Sequence, residues 1–142
     1  MTGARKRCRR RVPASQIKTP SLRVLMRRLR KRAPTKAPVR LVQQRGVRSG
    51  GEWVLGYAAY RRTWSRRGRP GRIKSHRIVV DSRLPLVEKW EVVVHEWAHC
   101  LDRMTRPRQP NDCHDARWGQ CYSRAFRASL APDLMRLALD ST

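Results

Sequence analysis

His95-Glu96-Trp97-Ala98-His99 is the run of residues on which the interpretation of this sequence depends. Side chains four residues apart lie on the same face of an α-helix, so His95 and His99 can reach one metal ion if the run is helical. Imidazole nitrogens bind zinc at about 2.0 Å, and a zinc ion with an open coordination position lowers the pKa of its bound water to about 7. Glu96 follows the first His and can accept the proton of that water. The run therefore predicts the zinc-binding helix of a metallopeptidase.

The residues on both sides of this run have the periodicity of an amphipathic helix. Between Leu86 and Met104, apolar side chains recur at spacings of three and four: Val87, Trp90, Val94, Trp97, Leu101 and Met104. At about 100° per residue, His95, His99 and Asp102 fall together at the edge of this stripe. We predict a helix over 86–104 whose histidines face a cleft, with Asp102 either orienting a ligand histidine or forming a surface ion pair. The alternative is an amphipathic helix with two partly exposed histidines and no metal.

A zinc site of this type needs a third protein ligand. Metallopeptidases that use a downstream Glu are excluded because no Glu follows Glu96. Those with a Gly three residues after the second His are excluded because Asp102 stands there. His114 is the only later His and is the favoured ligand, and the alternatives are the later aspartates: Asp102, Asp112, Asp115, Asp133 and Asp140. Such a site would hold one zinc ion per chain and hydrolyse amide bonds of a protein substrate, with Glu96 as general base.

The charge of the chain indicates a polyanionic partner. Its 142 residues contain 34 Lys and Arg against 10 Asp and Glu, a net charge of +24. The first 51 residues contain 17 of these basic residues and no acidic one. We expect nucleic acid, before membrane surfaces, as the partner, and a basic disordered arm over 1–19 followed by one domain over 20–142. The candidate nucleic-acid contacts are Arg9, Arg10 and Arg11 in the arm, Arg27 and Arg30 on a first helix, and Arg66, Arg67 and Arg69 in a turn.

The elements before residue 86 indicate an α+β fold. Thr19 and Pro20 are typical of a helix N-cap and a first helical position, and an apolar stripe predicts that this helix continues to Arg32. Three extended segments separated by Gly-rich and Arg-rich turns, 39–44, 53–61 and 73–81, predict a small antiparallel three-stranded sheet. His76 is expected to be an ordinary polar strand residue. Aromatic residues beside arginines at 53–62 predict either core packing or a surface that stacks nucleic-acid bases.

Two helices are predicted after the HExxH helix. Asn111 or Asp112 can cap a helix from Cys113 to Leu130, whose inward-facing residues would be Trp118, Cys121 or Tyr122, and Ala125. His114 would lie in its first turn and could point back at the two histidines of the HExxH helix. A last short helix would begin at Pro132.

The sequence also predicts a compartment. The N-terminus has no apolar signal core, and no segment approaches 18 apolar residues, so we expect a cytoplasmic protein that does not enter membranes. If the source is a phage, which the preference for Arg over Lys suits, this would be the host cytoplasm. An Arg-rich start is also found in organelle transit peptides, but this one has few Ser residues. The four cysteines, Cys8, Cys100, Cys113 and Cys121, contain no CxxC pair and are expected to be reduced thiols.

Three segments carry a family resemblance: Arg77-Ile78-Val79-Val80-Asp81-Ser82-Arg83-Leu84, then Val92-Val93-Val94-His95-Glu96-Trp97-Ala98-His99, and later His114-Asp115-Ala116-Arg117-Trp118. Together they resemble the SprT-like metallopeptidases, which include the Spartan proteases and small phage-encoded relatives. The resemblance covers about Val39 to Leu130. It implies a zincin-like fold, zinc held by His95, His99 and His114, Glu96 as the base, and commonly DNA-associated cleavage of proteins.

Two features depart from the pattern of that family. Asp115 stands where the family usually has Gly, and the chain has no C-terminal zinc ribbon with paired CxxC motifs. Any nucleic-acid binding would therefore come from the basic arm and the Arg-rich turn. Two alternatives to a DNA-associated metallopeptidase remain at this point. One is a nucleic-acid-binding protein with a structural or vestigial metal site, and the other is a regulatory peptidase specific for one protein partner.

Overall fold

The computed structural model describes residues 19–105 and 114–131 and has the predicted α+β class. In chain order its elements are α1 (Leu22–Arg32), β1 (Val39–Gln44), β2 (Arg48–Ser49), β3 (Glu52–Trp53), β4 (Gly56–Trp64), β5 (Pro70–Asp81), α2 (Leu86–Thr105) and α3 (Ala116–Ser129). β1, β4 and β5 form one sheet, while β2 and β3 form a separate hairpin. The three helices and the sheet share one hydrophobic core, which contains Leu25, Leu29, Ile78, Val94 and Trp97.

The sheet is mixed, so the predicted antiparallel arrangement is wrong. β5 is the central strand, and it pairs in parallel with β1 and antiparallel with β4. A tight turn joins β4 to β5 and requires antiparallel pairing, whereas residues 45–69 separate β1 from β5 and leave room for a parallel crossover. The alternation of side chains along β1 is the same in either direction. The sequence pattern therefore predicts the strand but not its orientation.

Three strand bounds differ from the prediction, one of which is the end of β4 at Trp64 rather than Arg61. β1 has the predicted bounds, but β4 begins at Gly56, and Trp53 belongs to the β2–β3 hairpin instead. That hairpin turns at Gly50 and Gly51, whose φ angles of 59° and 87° are costly for residues with a Cβ atom. β5 begins at Pro70 rather than at Ile73. The segments between strands, in the hairpin and between β4 and β5, are thus shorter than the sequence pattern indicates.

α1 ends where predicted but begins two residues later. Ser21 is its N-cap and accepts a hydrogen bond from the backbone N–H of Val24, so Thr19 and Pro20 are not the cap and first helical residue. A Ser side chain directly before the first apolar residue of the stripe satisfies a helix N–H that Thr19 is too far away to reach. At the other end, Trp97 donates its indole N–H to the carbonyl of Ala33 at 2.9 Å. This bond connects the end of α1 to the middle of α2.

α2 confirms the predicted helix over 86–104, with a shifted buried face. Val94, Trp97 and Leu101 are buried as predicted, together with Val93, Ala98 and Cys100. Val87 is instead 50% exposed, because it lies in the first turn of α2, outside the core that the later turns reach. The predicted apolar stripe is therefore correct for Val94, Trp97 and Leu101, while Trp90 is partly buried against the core and Met104 is only partly buried.

α3 begins at Ala116, with Asp115 as its N-cap. The Asp115 carboxylate accepts a hydrogen bond from the Trp118 backbone N–H at 2.9 Å, so the predicted cap at Asn111 or Asp112 is wrong. The inward face is as predicted: Ala125 is buried, and partly buried Trp118, Cys121 and Tyr122 pack against the core. At the other end, Arg28 and Arg32 of α1 donate to carbonyls of the α3 terminus, at Ser129 (3.0 Å) and Leu130 (2.6 Å).

Several predictions concern residues outside the described ranges. These are the basic arm, except for Thr19, the residues Asn111, Asp112 and Cys113, and the short helix beginning at Pro132. Within residues 19–105 and 114–131, no helix has the length and apolar character needed to cross a membrane. Of the two cysteines in these ranges, Cys100 is buried and Cys121 is partly buried, and their reduced state stays a prediction.

The approach of β4 to α2 generates a stability prediction. A Cβ atom at Gly56 would lie 2.5 Å from Val92 Cγ1 and 2.6 Å from the Val79 carbonyl oxygen. Gly56→Ala should therefore destabilise the fold by about 1–3 kcal/mol, the usual cost of overpacking.

Gly119→Ala is the matched control, because a Cβ there meets nothing within 4 Å and the residue lies within α3. The control should stabilise the protein by about 0.5–1 kcal/mol. Urea denaturation of the three proteins measures both effects, and equal stability of Gly56→Ala and wild type would contradict the packing described.

Candidate metal centre

Three imidazole side chains converge on one point. The Nε2 atoms of His95 and His99 lie 3.2 Å apart, and Nε2 of His114 lies 3.2 Å from the first and 3.1 Å from the second. His99 is buried, His95 is partly buried and His114 is exposed. A neutral imidazole carries one N–H, so a triangle of three such nitrogens cannot be held by three good hydrogen bonds. The described part of the chain thus contains a group of histidines that could hold a metal ion.

The spacing of the three nitrogens fits a small tetrahedral ion. Ligands bound tetrahedrally at about 2.0–2.1 Å lie about 3.3–3.4 Å from one another. The observed separations of 3.1–3.2 Å are close to this value for all three pairs. Three neutral nitrogen donors are also a donor set that zinc accepts readily. One tetrahedral position would be left for water or substrate, which distinguishes such a site from a closed structural one.

Local structure accounts for two of the three positions. His95 and His99 are one turn apart on α2 and therefore project from the same face. The turn that leads into α2 is closed by Asp81, which accepts hydrogen bonds from the backbone N–H of Arg83 at 2.9 Å and from its guanidinium at 2.7 Å. These bonds hold the pKa of Asp81 well below its usual range, so this carboxylate is charged at neutral pH. This ion pair lies in the turn between the end of β5 and the start of α2.

Tertiary packing accounts for the third position. His114 directly precedes the N-cap of α3 rather than lying in its first turn as predicted. Trp118, one turn into α3, contacts the His114 ring with a centroid separation of 4.4 Å and the His95 ring at 5.0 Å. The N-terminus of α3 is therefore held against α2 at the point where the imidazoles meet.

Glu96 lies beside the histidines and lines a cleft. The cleft has a volume of about 560 Å³, and its lining includes both His95 and Glu96. The Glu96 side chain is mostly buried at 9% exposure. Its position next to the imidazole group and facing an open cleft is the arrangement that a general base requires.

Asp102 is buried, two turns after His95 on the same helix. Its proposed role in orienting a ligand histidine stays a prediction, as does the alternative of an ion pair. The other candidate ligand in the described ranges, Asp115, is engaged as the N-cap of α3. Asp112, Asp133 and Asp140 lie outside those ranges.

The candidate nucleic-acid contacts divide between two elements. Arg27 and Arg30 lie on the exposed side of α1, where they line a basic groove with Arg23 and Lys31. Arg66, Arg67 and Arg69 are exposed in the β4–β5 turn. Of the aromatic residues at 53–62, Trp53 is 64% exposed with the Arg48 guanidinium 4.1 Å from its ring centroid. Arg9, Arg10 and Arg11 lie outside the described residues.

His76 does not join the metal group. It is fully buried in β5, and among the described residues neither of its ring nitrogens has a hydrogen-bond partner. Burial, followed by the positive charge of Arg103, lowers the pKa of His76 to about 4, so the ring is neutral at pH 7. His76 lies in a strand, as expected, but it is buried in the protein interior rather than being an ordinary polar residue.

An aromatic row on α3 is the feature that sequence analysis missed. Trp118, Tyr122 and Phe126 recur at intervals of four residues within α3, so their side chains lie on one face of the helix. Their rings stack in succession, at 5.2 Å between the first two and 6.3 Å between the last two. The interval was visible in the sequence, but it indicates core packing as readily as a cleft wall.

Comparison with known proteins identified no matching family model, no matching curated protein and no matching solved structure. The interpretation of the site therefore depends on its own geometry and chemistry.

The convergence of three imidazoles generates a binding prediction. Wild-type protein dialysed after zinc loading should retain about one zinc ion per chain, and His114→Ala should lose most of it because two ligands remain. Asp115→Asn is the matched control: Asn caps a helix as well as Asp does, so the variant removes a charge next to His114 while keeping α3 in place. Elemental mass spectrometry gives the zinc content, and circular dichroism confirms folding. Full retention of zinc by His114→Ala, or its loss from Asp115→Asn, would contradict the assignment.

Proposed function

We propose that this protein is a zinc-dependent metallopeptidase that hydrolyses peptide bonds of protein substrates. The observation that supports the proposal is the convergence of His95, His99 and His114 within 3.2 Å of one another, directly beside Glu96 in an open cleft. A structural metal site would be expected to have four protein ligands and no cleft. Here a carboxylate and an accessible cavity accompany three imidazoles, which is the composition of a hydrolytic centre.

The three histidines would hold the zinc ion. When bound, zinc supplies a Lewis acid that makes water more acidic and polarises a carbonyl group. Glu96 accepts a proton from the attacking water while the water oxygen bonds to the carbonyl carbon of the peptide. It then passes that proton to the amine nitrogen as the carbon–nitrogen bond breaks. The products are a carboxylic acid and an amine, which become a carboxylate and an ammonium group at neutral pH when the acid proton passes to the amine, and Glu96 returns to its charged form.

The substrate would lie extended beside β4. The sheet order β1-β5-β4 makes β4 an edge strand of the three-stranded sheet, and Leu55 and Gly56 at its start line the same cleft as His95 and Glu96. An extended peptide can add to such an edge through main-chain hydrogen bonds. β4 is therefore the edge that we assign to substrate binding.

We further propose membership of the SprT-like family with a zincin-like fold. Two arrangements support this: a strand, β5, directly precedes the HExxH helix, and a His directly precedes the cap of the next helix. Asp115, the departure from the family pattern, occupies the N-cap position, where its side chain has a structural role. The departure is thus compatible with His114 as a ligand.

Nucleic-acid association is a second candidate function, alone or together with proteolysis. It is supported by the exposed Arg66, Arg67 and Arg69 in the β4–β5 turn and by the exposed Trp53, a ring of the kind that stacks on bases. The net charge of +24 has the sign and size that attract polyanions such as nucleic acid.

The general-base assignment predicts a specific loss of activity. Glu96→Gln should retain zinc and cleave peptides about 100- to 10,000-fold more slowly, the usual contribution of a general base. Glu88→Gln is the control, since Glu88 is exposed and lies on α2 two turns earlier. Cleavage of a denatured protein substrate, followed by gel electrophoresis and mass spectrometry, measures both. Undiminished cleavage by zinc-loaded Glu96→Gln would show that the base is another group.

The nucleic-acid proposal predicts a site-specific change in salt dependence. Replacing Arg66, Arg67 and Arg69 together by Ala should weaken binding to a labelled single-stranded oligonucleotide. The slope of log K against log salt should fall by about 0.7 for each phosphate that the variant no longer neutralises. Replacing Arg117, Arg124 and Arg127 on α3 removes the same charge from another exposed surface and serves as the control. Equal effects of the two triple variants in fluorescence anisotropy would indicate general attraction rather than a site in the turn.

A further inference from the structure

The cleft beside Glu96 has an apolar wall made of aromatic rings. Tyr122 and Phe126 extend the row that begins next to the imidazole group, and Trp90 of α2 meets Phe126 edge to face at 5.8 Å. Leu55, which directly precedes β4, lines the same cleft as these rings. Aromatic and aliphatic surface is therefore continuous with the residues that we assign to catalysis.

The outer part of this wall is exposed to water. Leu55 is 57% exposed and Phe126 is 39% exposed, although both line a concave surface. Exposed apolar surface costs about 25 cal/mol per Å² relative to burial, so a ligand that covers these residues gains affinity. Concave sites with apolar walls and a few polar groups are the usual form of ligand-binding clefts.

The charge of the cleft differs from that of the rest of the chain. Its charged lining residues, within the described part of the chain, are the acidic Glu91 and Glu96, and no Lys or Arg is among the lining. In a protein with 34 Lys and Arg residues this composition disfavours phosphate groups and acidic side chains as occupants. An uncharged, apolar group is the ligand that this lining matches.

The volume of the cleft suits a large side chain. At about 560 Å³ it lies within the range of about 300–1,000 Å³ that is typical of small-molecule sites. A Leu, Met or Phe side chain together with its backbone is well below that size. A small side chain such as Ala would leave the aromatic wall uncovered.

We propose that this cleft binds a large apolar side chain next to the scissile bond, and that Leu55, Trp90 and Phe126 determine this specificity. The inference rests on the proposed peptidase function, because the occupant is a residue of the substrate. It adds a substrate class: unfolded or extended segments rich in large apolar residues, rather than the polar segments typical of protein surfaces.

The test begins with wild-type protein loaded with zinc and a mixture of peptides of diverse sequence. Mass spectrometry of the products identifies the cleaved bonds, and large apolar residues should be enriched at one of the two positions that flank them. Two peptides that differ only by Ala or the preferred residue at that position then give a ratio of kcat/KM. We expect a ratio of at least about tenfold in favour of the large residue, in line with the discrimination available from apolar contacts.

Two cleft variants and one control complete the experiment. Leu55→Ala and Phe126→Ala should each reduce that ratio several-fold while keeping the zinc content, and both residues are exposed enough for the fold to tolerate the change. Val87→Ala shortens an apolar side chain that is 50% exposed in the first turn of α2, outside the cleft lining, and should leave the ratio unchanged. If one cleft variant fails to fold, the other still tests the proposal.

The outcomes separate this inference from the function on which it rests. Cleavage by wild type without a preference for large apolar residues, or with a preference unchanged in both cleft variants, overturns the specificity inference and leaves the peptidase intact. Absence of cleavage by folded, zinc-loaded wild type overturns the proposed function and this inference with it.

Discussion

The docking of α3 against α2 is the packing interaction on which the candidate metal centre depends. Two of the three imidazoles come from one helix, where the four-residue spacing places them on a common face. The third comes from the start of another helix, and only tertiary contacts can bring it within 3.2 Å of the first two. Trp118 holds the beginning of α3 against His95, while Arg28 and Arg32 of α1 bind the carbonyls at its other end. The helix is thereby fixed at both ends, and His114 with it.

The same docking creates the cleft. α3 packs against α2 with its row of aromatic rings facing α2. Trp118, at one end of the row, contacts the imidazole group, and Tyr122 and Phe126, further along, form a wall of the cleft. The close approach at Gly56 brings the start of β4 to the opposite side. A cluster of acidic and apolar groups is thereby enclosed within a strongly basic chain. The surfaces of α1 and the β4–β5 turn are rich in Arg, whereas the cleft lining contains no Lys or Arg. The two kinds of surface suit different ligands, as a peptidase that associates with nucleic acid would need.

Local periodicity explains which parts of this arrangement the sequence predicts. α2, β1 and the inward face of α3 follow from spacings within a single segment, and the pairing of His95 with His99 follows from one helical turn. His114 could be selected because it is the only His after the run and no Glu follows Glu96, which is an argument from composition.

The pairing of β1 with β5 could not be predicted, since strand direction depends on the path of the intervening chain rather than on the strand's own residues. The predicted helix caps were also wrong, since the observed caps are Ser21 and Asp115. Neighbouring Ser, Thr, Asp and Asn residues are equivalent cap candidates until the backbone is known. The cleft and the burial of His76 depend on contacts between three or more elements and have no signature in any one of them.

The most direct measurement of the central claim is X-ray absorption at the zinc edge of the purified, zinc-loaded protein. We predict nitrogen or oxygen ligands at about 2.0–2.1 Å, with the multiple scattering of three imidazole rings and no sulfur. His114→Ala protein, under the same conditions, should show the scattering of at most two rings. A shell of sulfur at about 2.3 Å would place the metal at cysteine thiolates, and a wild-type spectrum with fewer than three imidazoles would contradict the three-histidine centre.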